Sequence, residues 1–239
     1  MMREGATKYL DNETGFELPK MELKFEFGKD LEAQRVKWTL AAMDWYRENG
    51  YAKNLRLPEN ITEESSSEEI EMQIAKEYDV KAYEEMVVKT NDSFKDIGQE
   101  FFCALKKVFG EKVSENYIVR LTGYGTGGSY KTPNTITINI RRTDGPIKTV
   151  VHEIIHLQIE DKIKSYGVEH WEKERIVDMI LNSKEFAFLD YNSWQRGYGD
   201  TEKYIDDLFR QKFFTDHDGF FAQIKEAREK SKTTKSSHS

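Results

Sequence analysis

His152 and His156 are two of the five histidines in the chain, and they stand four residues apart in the segment His-Glu-Ile-Ile-His. On a helix, residues i and i+4 lie on one face, so two imidazoles at this spacing can bind one metal ion. Glu153 lies at the edge of the same face, where its carboxylate can act as general base toward metal-activated water. The spacing therefore predicts a metal site with His152 and His156 as ligands and Glu153 as a catalytic residue.

The residues around this motif predict a helix that is apolar over most of its girth and therefore buried. Pro146 suits its first turn and Gly167 suits its end. Its apolar residues are Val150, Val151, Ile154, Ile155, Leu157 and Ile159. Two histidines and a carboxylate inside a buried helix need a partner that offsets the loss of hydration, and a metal ion is such a partner. Two hydrogen-bonded core histidines without a metal are the alternative interpretation.

A catalytic zinc ion needs a third protein ligand and one position left open for water. The next predicted helix, residues 168–181, offers five candidates: Glu169, His170, Glu172, Glu174 and Asp178. Glu174 and Asp178 share one face of that helix. Glu174 can then bind the metal while Asp178 accepts a hydrogen bond from the free nitrogen of a ligand histidine. His170, one turn before Glu174 on the same face, remains the alternative third ligand.

The order of these motifs, from His152 and His156 to Glu174 and Asp178, resembles the gluzincin class of zinc metallopeptidases, the thermolysin-like group. The resemblance covers about residues 117–181. It implies one zinc ion per chain, bound by the two histidines and Glu174, with Asp178 as a supporting residue. The chain departs from many gluzincins at one position, because a lysine rather than an asparagine precedes the ligand glutamate. The resemblance does not assign a member family.

The class also implies an edge strand before the motif helix, along which an extended peptide substrate lies. Residues 136–140, which alternate cleanly, or the glycine-rich segment 124–130 fit that place. The glycines would let the chain approach the peptide without obstruction, and the tyrosines would flank the cleft. The residues expected to contact substrate are Tyr124, Gly127, Gly128 and Tyr130. The alternative is that the glycines form a hairpin tip with no role in binding.

Gluzincin sites also use a downstream histidine or tyrosine to stabilise the negative charge that develops in the reaction. The candidates in this chain are Tyr166, Tyr191, Tyr198 and His217. We name Tyr198 and His217 as the catalytic candidates, and Asp216 or Asp218 can orient the histidine. Simple packing or solvation of each side chain is the alternative.

The elements that must position these residues predict an α+β fold. A small twisted mixed sheet would pack on the buried motif helix, with a mainly helical N-terminal region and a helical C-terminal part, and the resemblance makes this zincin-like. Strands are expected at 21–27, 117–121 and 135–140, and helices at 31–48, 70–78, 82–108 with a break at 91–93, 201–213 and 219–229. We expect four regions: a flexible lead-in (1–20), an N-terminal strand plus helical region (21–112), the zincin-like core (113–230) and a disordered tail (231–239).

Composition excludes several classes of function. The 239 residues carry a formal net charge of -7, which disfavours nucleic-acid binding through bulk charge. The single cysteine, Cys103, excludes an intramolecular disulfide framework and a cysteine-rich zinc site. No apolar run approaches the roughly 18 residues of a membrane helix, and no signal peptide is seen, so a cytoplasmic location without membrane attachment is expected.

These observations predict a zinc-dependent endopeptidase that hydrolyses peptide bonds of a peptide or protein substrate by metal-activated water, with Glu153 as general base. The first alternative is a non-catalytic binding or regulatory module on a zincin scaffold, in which the metal is structural. The second alternative is a metal-free interaction protein. An intact glutamate next to the first histidine favours the enzyme, because a structural metal site does not need a base there.

Overall fold

The computed structural model describes residues 20–141, 145–195, 198 and 201–236, with the backbone alone at 203 and 231–236. The expected flexible lead-in, apart from Lys20, lies outside the described residues, as do the last three residues of the expected disordered tail. Residues 231–236 continue the final helix, so that part of the tail is helical rather than disordered.

Four strands form one mixed sheet. They are β1 (Glu22–Glu26), β2 (Asn116–Thr122), β3 (Gly128–Lys131) and β4 (Thr135–Asn139). The spatial order is β1-β2-β4-β3, with β1 and β4 parallel to β2 and with β3 antiparallel to β4. This confirms the small mixed sheet, but it overturns one of the two placements offered for the edge strand. Residues 136–139 belong to an interior strand, because β4 pairs with β2 on one side and β3 on the other.

Eight α-helices accompany the sheet in the described residues. They are α1 (Lys29–Ala41), α2 (Met43–Glu48), α3 (Ser67–Glu77), α4 (Val80–Phe109), α5 (Pro146–Tyr166), α6 (His170–Leu181), α7 (Glu202–Lys212) and α8 (His217–Ser236). Short 3-10 turns lie at Ala52–Asn54, Gly110–Lys112 and Lys184–Leu189. The predicted α+β class is confirmed.

The break expected at 91–93 is wrong, because α4 is continuous. The hydroxyl of Thr90 donates to the Met86 carbonyl (2.7 Å), and that of Ser93 donates to the Lys89 carbonyl (2.9 Å). Each hydroxyl thus finds its acceptor one turn back within the helix, so the polar stretch does not interrupt it.

Helix α5 carries the motif and lies at the centre of the fold. Pro146 occupies its first turn and Gly167, with φ 61° in the left-handed region, caps its end. It packs on β3 and β4 on one side and on α4, α6 and α8 on others. Burial on several sides explains why its sequence is apolar over most of its girth.

The N-terminal region is joined to the sheet rather than separate from it. β1 is a strand of the same sheet, and α1 and α3 share a second apolar cluster with Tyr124. The chain at Arg56 pairs with Gly125 through two backbone hydrogen bonds of 3.1 and 2.8 Å. Among the described residues, no helix is both long and apolar enough to cross a membrane.

Candidate metal centre

Three side chains from two helices converge on one point. His152 and His156 of α5 meet Glu174 of α6, and all three are buried. The two histidine Nε2 atoms lie 3.0 Å apart, His152 Nε2 lies 3.2 Å from Glu174 Oε2, and His156 Nε2 lies 3.4 Å from Glu174 Oε1. The i,i+4 spacing on α5 aligns the histidines, and the turn at Gly167 returns the chain so that α6 packs beside them.

These distances and this donor set fit a zinc ion. Ligand bonds of about 2.0–2.1 Å at tetrahedral angles place neighbouring ligand atoms roughly 3.4 Å apart. The three measured separations of 3.0 to 3.4 Å are close to that spacing. Two imidazole nitrogens and one carboxylate oxygen are also a ligand set that zinc takes in catalytic sites. The three residues could therefore hold a divalent metal ion.

Asp178 lies behind His152 and touches the nitrogen that faces away from the convergence point. Asp178 Oδ1 lies 3.5 Å from His152 Nδ1, and the Tyr191 hydroxyl lies 3.1 Å from the same nitrogen. Asp178 Oδ2 accepts hydrogen bonds from the backbone N–H of Gln195 (2.7 Å) and from the Tyr198 hydroxyl. Asp178 Oδ1 has no hydrogen-bond partner among the described residues, so the hydrogen bond that the sequence predicted from Asp178 to a ligand histidine stays a prediction, and the Tyr191 hydroxyl is the group within hydrogen-bond distance of His152 Nδ1.

The pKa values of the three clustered side chains shift in different directions. Burial alone disfavours a charged His152, but the nearby carboxylates of Asp178 and Glu174 raise its pKa well above the usual value. Burial lowers the pKa of His156 to about 4. Burial also opposes the charge on Glu174, yet His156 and His152 hold its pKa well below the usual value. A metal ligand must be deprotonated, so Glu174 and His156 already have the state that binding requires, whereas His152 would have to release its proton when a metal binds.

Glu153 is buried next to this cluster and lines the same cleft. Burial raises the pKa of its carboxyl to about 7, although the positive charges of His152, Lys173 and Arg35 oppose the shift. A base whose pKa lies near the working pH exchanges protons efficiently in both directions. Glu153 thus combines a place in the cleft with a raised pKa, and its role as general base stays a prediction.

His170 lies at the wall of the cleft. Its Nε2 atom lies 2.8 Å from the Tyr51 hydroxyl, and its Nδ1 atom is 3.8 Å from Glu174 Oε1. Its ring packs edge-on against Trp45, Tyr51 and Trp171. The structure thus groups Glu174 with the two histidines and gives His170 an aromatic environment instead.

A cleft of about 940 Å³ opens above the cluster and contains three of the four residues expected to bind substrate. Gly127 and Gly128 line it, and the Tyr130 ring stacks on His156 with centroids 4.8 Å apart and planes 11° apart. Tyr124 differs from the expectation. It is 2% exposed, and its hydroxyl donates to Glu77 at 2.9 Å, because the chain turns its side chain into the second apolar cluster.

The residues that could stabilise the developing negative charge of the reaction lie in different parts of the structure. Tyr191 lines the cleft, but its hydroxyl lies against His152. Tyr198 is buried and donates to Asp178, and it does not line the described part of the cleft. The catalytic role predicted for His217 is not supported. Its ring packs against Phe109 and Phe213 beside a separate hollow, and Tyr166 donates to the neighbouring Asp218 at 3.3 Å.

Gln195 is a site residue that sequence reasoning missed. Its Nε2 atom lies 3.3 Å from His152 Nε2 and donates to Glu174 Oε2. The loop that carries it is held by Arg175, whose guanidinium stacks on the Trp194 ring at 4.5 Å and forms two hydrogen bonds with Asp206 of α7. The aromatic and polar composition of this loop was visible in the sequence, but no periodicity showed which side chain turns inward.

The N-terminal region supplies the opposite wall of the cleft. Trp38, Trp45, Tyr46 and Tyr51 line it, together with residues 53–56. These residues come from α1, α2 and the turn that follows. The N-terminal region therefore bounds the site directly.

Comparisons of the chain with protein-family models, with curated proteins and with solved structures find no match. The geometry of the site itself is therefore the basis for a functional proposal.

Proposed function

We propose that the protein is a zinc-dependent peptidase with a zincin-like, gluzincin-type centre. The observation that supports this most is the convergence of His152, His156 and Glu174 within 4.8 Å of one another, with Glu153 beside them at the floor of a cleft. A structural site would not need a buried carboxylate with a raised pKa at that position.

The chain's own residues account for most of the chemistry. When bound, the zinc ion polarises the scissile carbonyl and makes water a stronger acid. Glu153 takes the proton of the attacking water and passes it to the leaving amine, which breaks the peptide bond. Asp178 and Tyr191 hold the ring of His152 in place from behind.

The edge strand β3 is the proposed binding site for the peptide backbone. Its one side pairs with β4, and residues 128–130 line the cleft on the other. An extended peptide can pair with the free N–H and C=O groups of such an edge. The backbone pairing of Arg56 with Gly125 ends before this edge begins, and Arg35 of α1 contacts the edge through its side chain, which donates to Ser129 Oγ at 3.3 Å.

The experiment is metal analysis followed by digestion of an unbiased peptide library. We expect about one zinc ion per chain and cleavage at defined positions. Glu153→Gln should keep the metal and lose turnover, whereas Asp161→Asn, a matched change at an exposed position of the same helix, should keep both. Full zinc occupancy with no cleavage anywhere in the library would contradict the proposal.

One observation favours a second candidate, a non-catalytic module with a structural metal. The Gln195 amide lies among the prospective ligands, in contact with His152 and Glu174. In a structural site a protein group fills the fourth position. If that candidate is correct, Gln195→Ala should weaken zinc binding and no variant should show turnover. A peptidase should instead bind zinc with similar affinity after this change.

A further inference from the structure

The cleft carries charge of the opposite sign to the chain as a whole. The formal net charge of the protein is -7, yet five basic side chains line the cleft: Lys53, Arg56, Arg141, Lys148 and Lys173. The acidic residues lining the described part of the cleft are Glu153, Glu160 and Glu174. Two of these belong to the centre, and Glu160 accepts from the Tyr130 hydroxyl and pairs with Lys164 at 3.0 Å.

Arg56 and Arg141 are the cations best placed to meet a ligand. Both are exposed, and neither forms an ion pair with another described residue. Glu77 lies within electrostatic range of Arg56, but its carboxylate already accepts from the Tyr124 hydroxyl and from the Glu59 N–H. By contrast, Lys148 donates to the Tyr191 carbonyl (2.7 Å).

These two arginines stand where the free edge of the sheet begins. Arg56 pairs through its backbone with Gly125, and the Nε atom of Arg141 lies 3.6 Å from the place of a Cβ on Gly123. Both side chains line the same cleft as residues 128–130 of β3, so a ligand that extends through the cleft beyond β3 can reach them. A planar guanidinium binds carboxylates through two parallel hydrogen bonds, which makes arginine well suited to recognise them.

We propose that the cleft selects peptides that carry a carboxylate, on an acidic side chain or at the C-terminus, next to the stretch bound along β3. This rests on the proposed peptidase function and adds a substrate class to it. The net negative charge of the protein repels anionic peptides at a distance, so selection depends on the local cations. Basic and aromatic residues together also suit single-stranded nucleic acid. The free strand edge favours a peptide, because its backbone groups pair with another extended chain.

The test measures binding to the zinc-loaded Glu153→Gln protein, which should hold peptide without cutting it. The probes are one extended peptide with two glutamates and a C-terminal amide, the same peptide with glutamines, and the glutamine peptide with a free C-terminus. An oligothymidylate is the fourth probe. We expect one of the two carboxylate peptides to bind about tenfold more tightly than the neutral peptide, which is the contribution of two exposed ion pairs. This difference in affinity should shrink at high salt, because salt screens exposed charges. The better of the two identifies the source of the carboxylate.

Arg56→Gln combined with Arg141→Gln should abolish the preference. Lys95→Gln combined with Arg210→Gln removes the same amount of positive charge outside the cleft and should leave the preference for carboxylate peptides intact. Equal binding of all three peptides would overturn the inference, and so would tighter binding of the oligothymidylate. Cleavage of peptides without charge preference would overturn it while leaving the peptidase proposal standing. Arginine-dependent binding without any cleavage by the wild-type protein would support it and contradict the peptidase.

Discussion

Gly128 and Glu153 stand so close that no side chain fits between them. A Cβ atom at position 128 would lie 2.3 Å from Glu153 Oε1 and 2.6 Å from Thr149 Cγ2. The backbone φ of Gly128 is not in the left-handed region, so the glycine is needed for space rather than for conformation. The first residue of the edge strand therefore packs directly on the proposed base.

Gly128→Ala should displace the carboxylate of Glu153 and reduce kcat/KM by about a hundredfold or more, the contribution of a well-placed general base. Zinc content should stay unchanged, because the ligands lie elsewhere. Steady-state kinetics with metal analysis would measure both. A larger side chain at position 128 cannot serve as a test of substrate contact, because it would displace Glu153 as well.

Gly28→Ala is the matched control for this change. Nothing lies within 4 Å of a Cβ at position 28, and its φ of 161° is extended backbone that any residue adopts. Activity should match that of the wild type. Unchanged activity in Gly128→Ala would show that the carboxylate of Glu153 does not act from its observed position.

His156→Ala should lose zinc, because it removes one of three protein ligands. The loss of affinity should exceed the roughly 10–100-fold that is typical of a supporting residue. Dialysis against a chelator followed by metal analysis would measure it. His170→Ala is the control and should keep its zinc, since the structure places His170 with Tyr51 and outside the group of three. The reverse result would place His170 rather than His156 among the ligands.

Asp178→Asn should keep the fold and weaken zinc affinity about 10- to 100-fold. The substitution replaces one carboxylate oxygen with an NH2 group, which cannot accept a hydrogen bond. Asp178 is surrounded by donors, because it accepts from the Gln195 N–H and the Tyr198 hydroxyl and lies against His152. Competition with a chromogenic chelator would give the affinity. Asp190→Asn, the same change at an exposed position, should have no effect. Equal affinities in the two variants would remove Asp178 from the support of the metal.

Glu32 should make stability depend on pH. It is 1% exposed and accepts from the Thr122 hydroxyl (2.6 Å), the Gly123 N–H (2.7 Å) and the Tyr83 hydroxyl. Burial outweighs these hydrogen bonds and raises its pKa above 4.5. A raised carboxyl pKa stabilises the fold fully below the unfolded pKa, and this contribution is lost as pH rises through the folded pKa.

Urea unfolding at a series of pH values above 4.5 would measure this effect. The free energy of unfolding of the wild type should fall with rising pH relative to that of Glu32→Gln, which does not titrate at this position. Glu100→Gln, at an exposed position of α4, should follow the wild type. Parallel curves for Glu32→Gln and the wild type would contradict the assigned direction of the pKa shift.

The sequence by itself determined the parts of the site that depend on helical periodicity. His152 and His156 share a face because they are four residues apart on one helix, and Glu174 and Asp178 are related in the same way. Burial of α5 followed from its apolar girth, and the alternation of 135–140 gave a strand. Each of these inferences uses contacts or patterns within one short segment, so no knowledge of the neighbours was required.

The tertiary structure decided everything that depends on which segments lie beside one another. Strand order made β3 the edge and β4 an interior strand, and it turned Tyr130 toward His156 while Tyr124 points into an apolar cluster. Long-range packing brought Trp45 and Tyr51 to the cleft and kept His217 away from it. Gln195 reaches the centre from a loop without periodicity, so its direction is set by contacts with Asp178 and with the ligands. Side-chain spacing carries no information about such contacts, because they join residues far apart in the chain and are fixed when the elements pack.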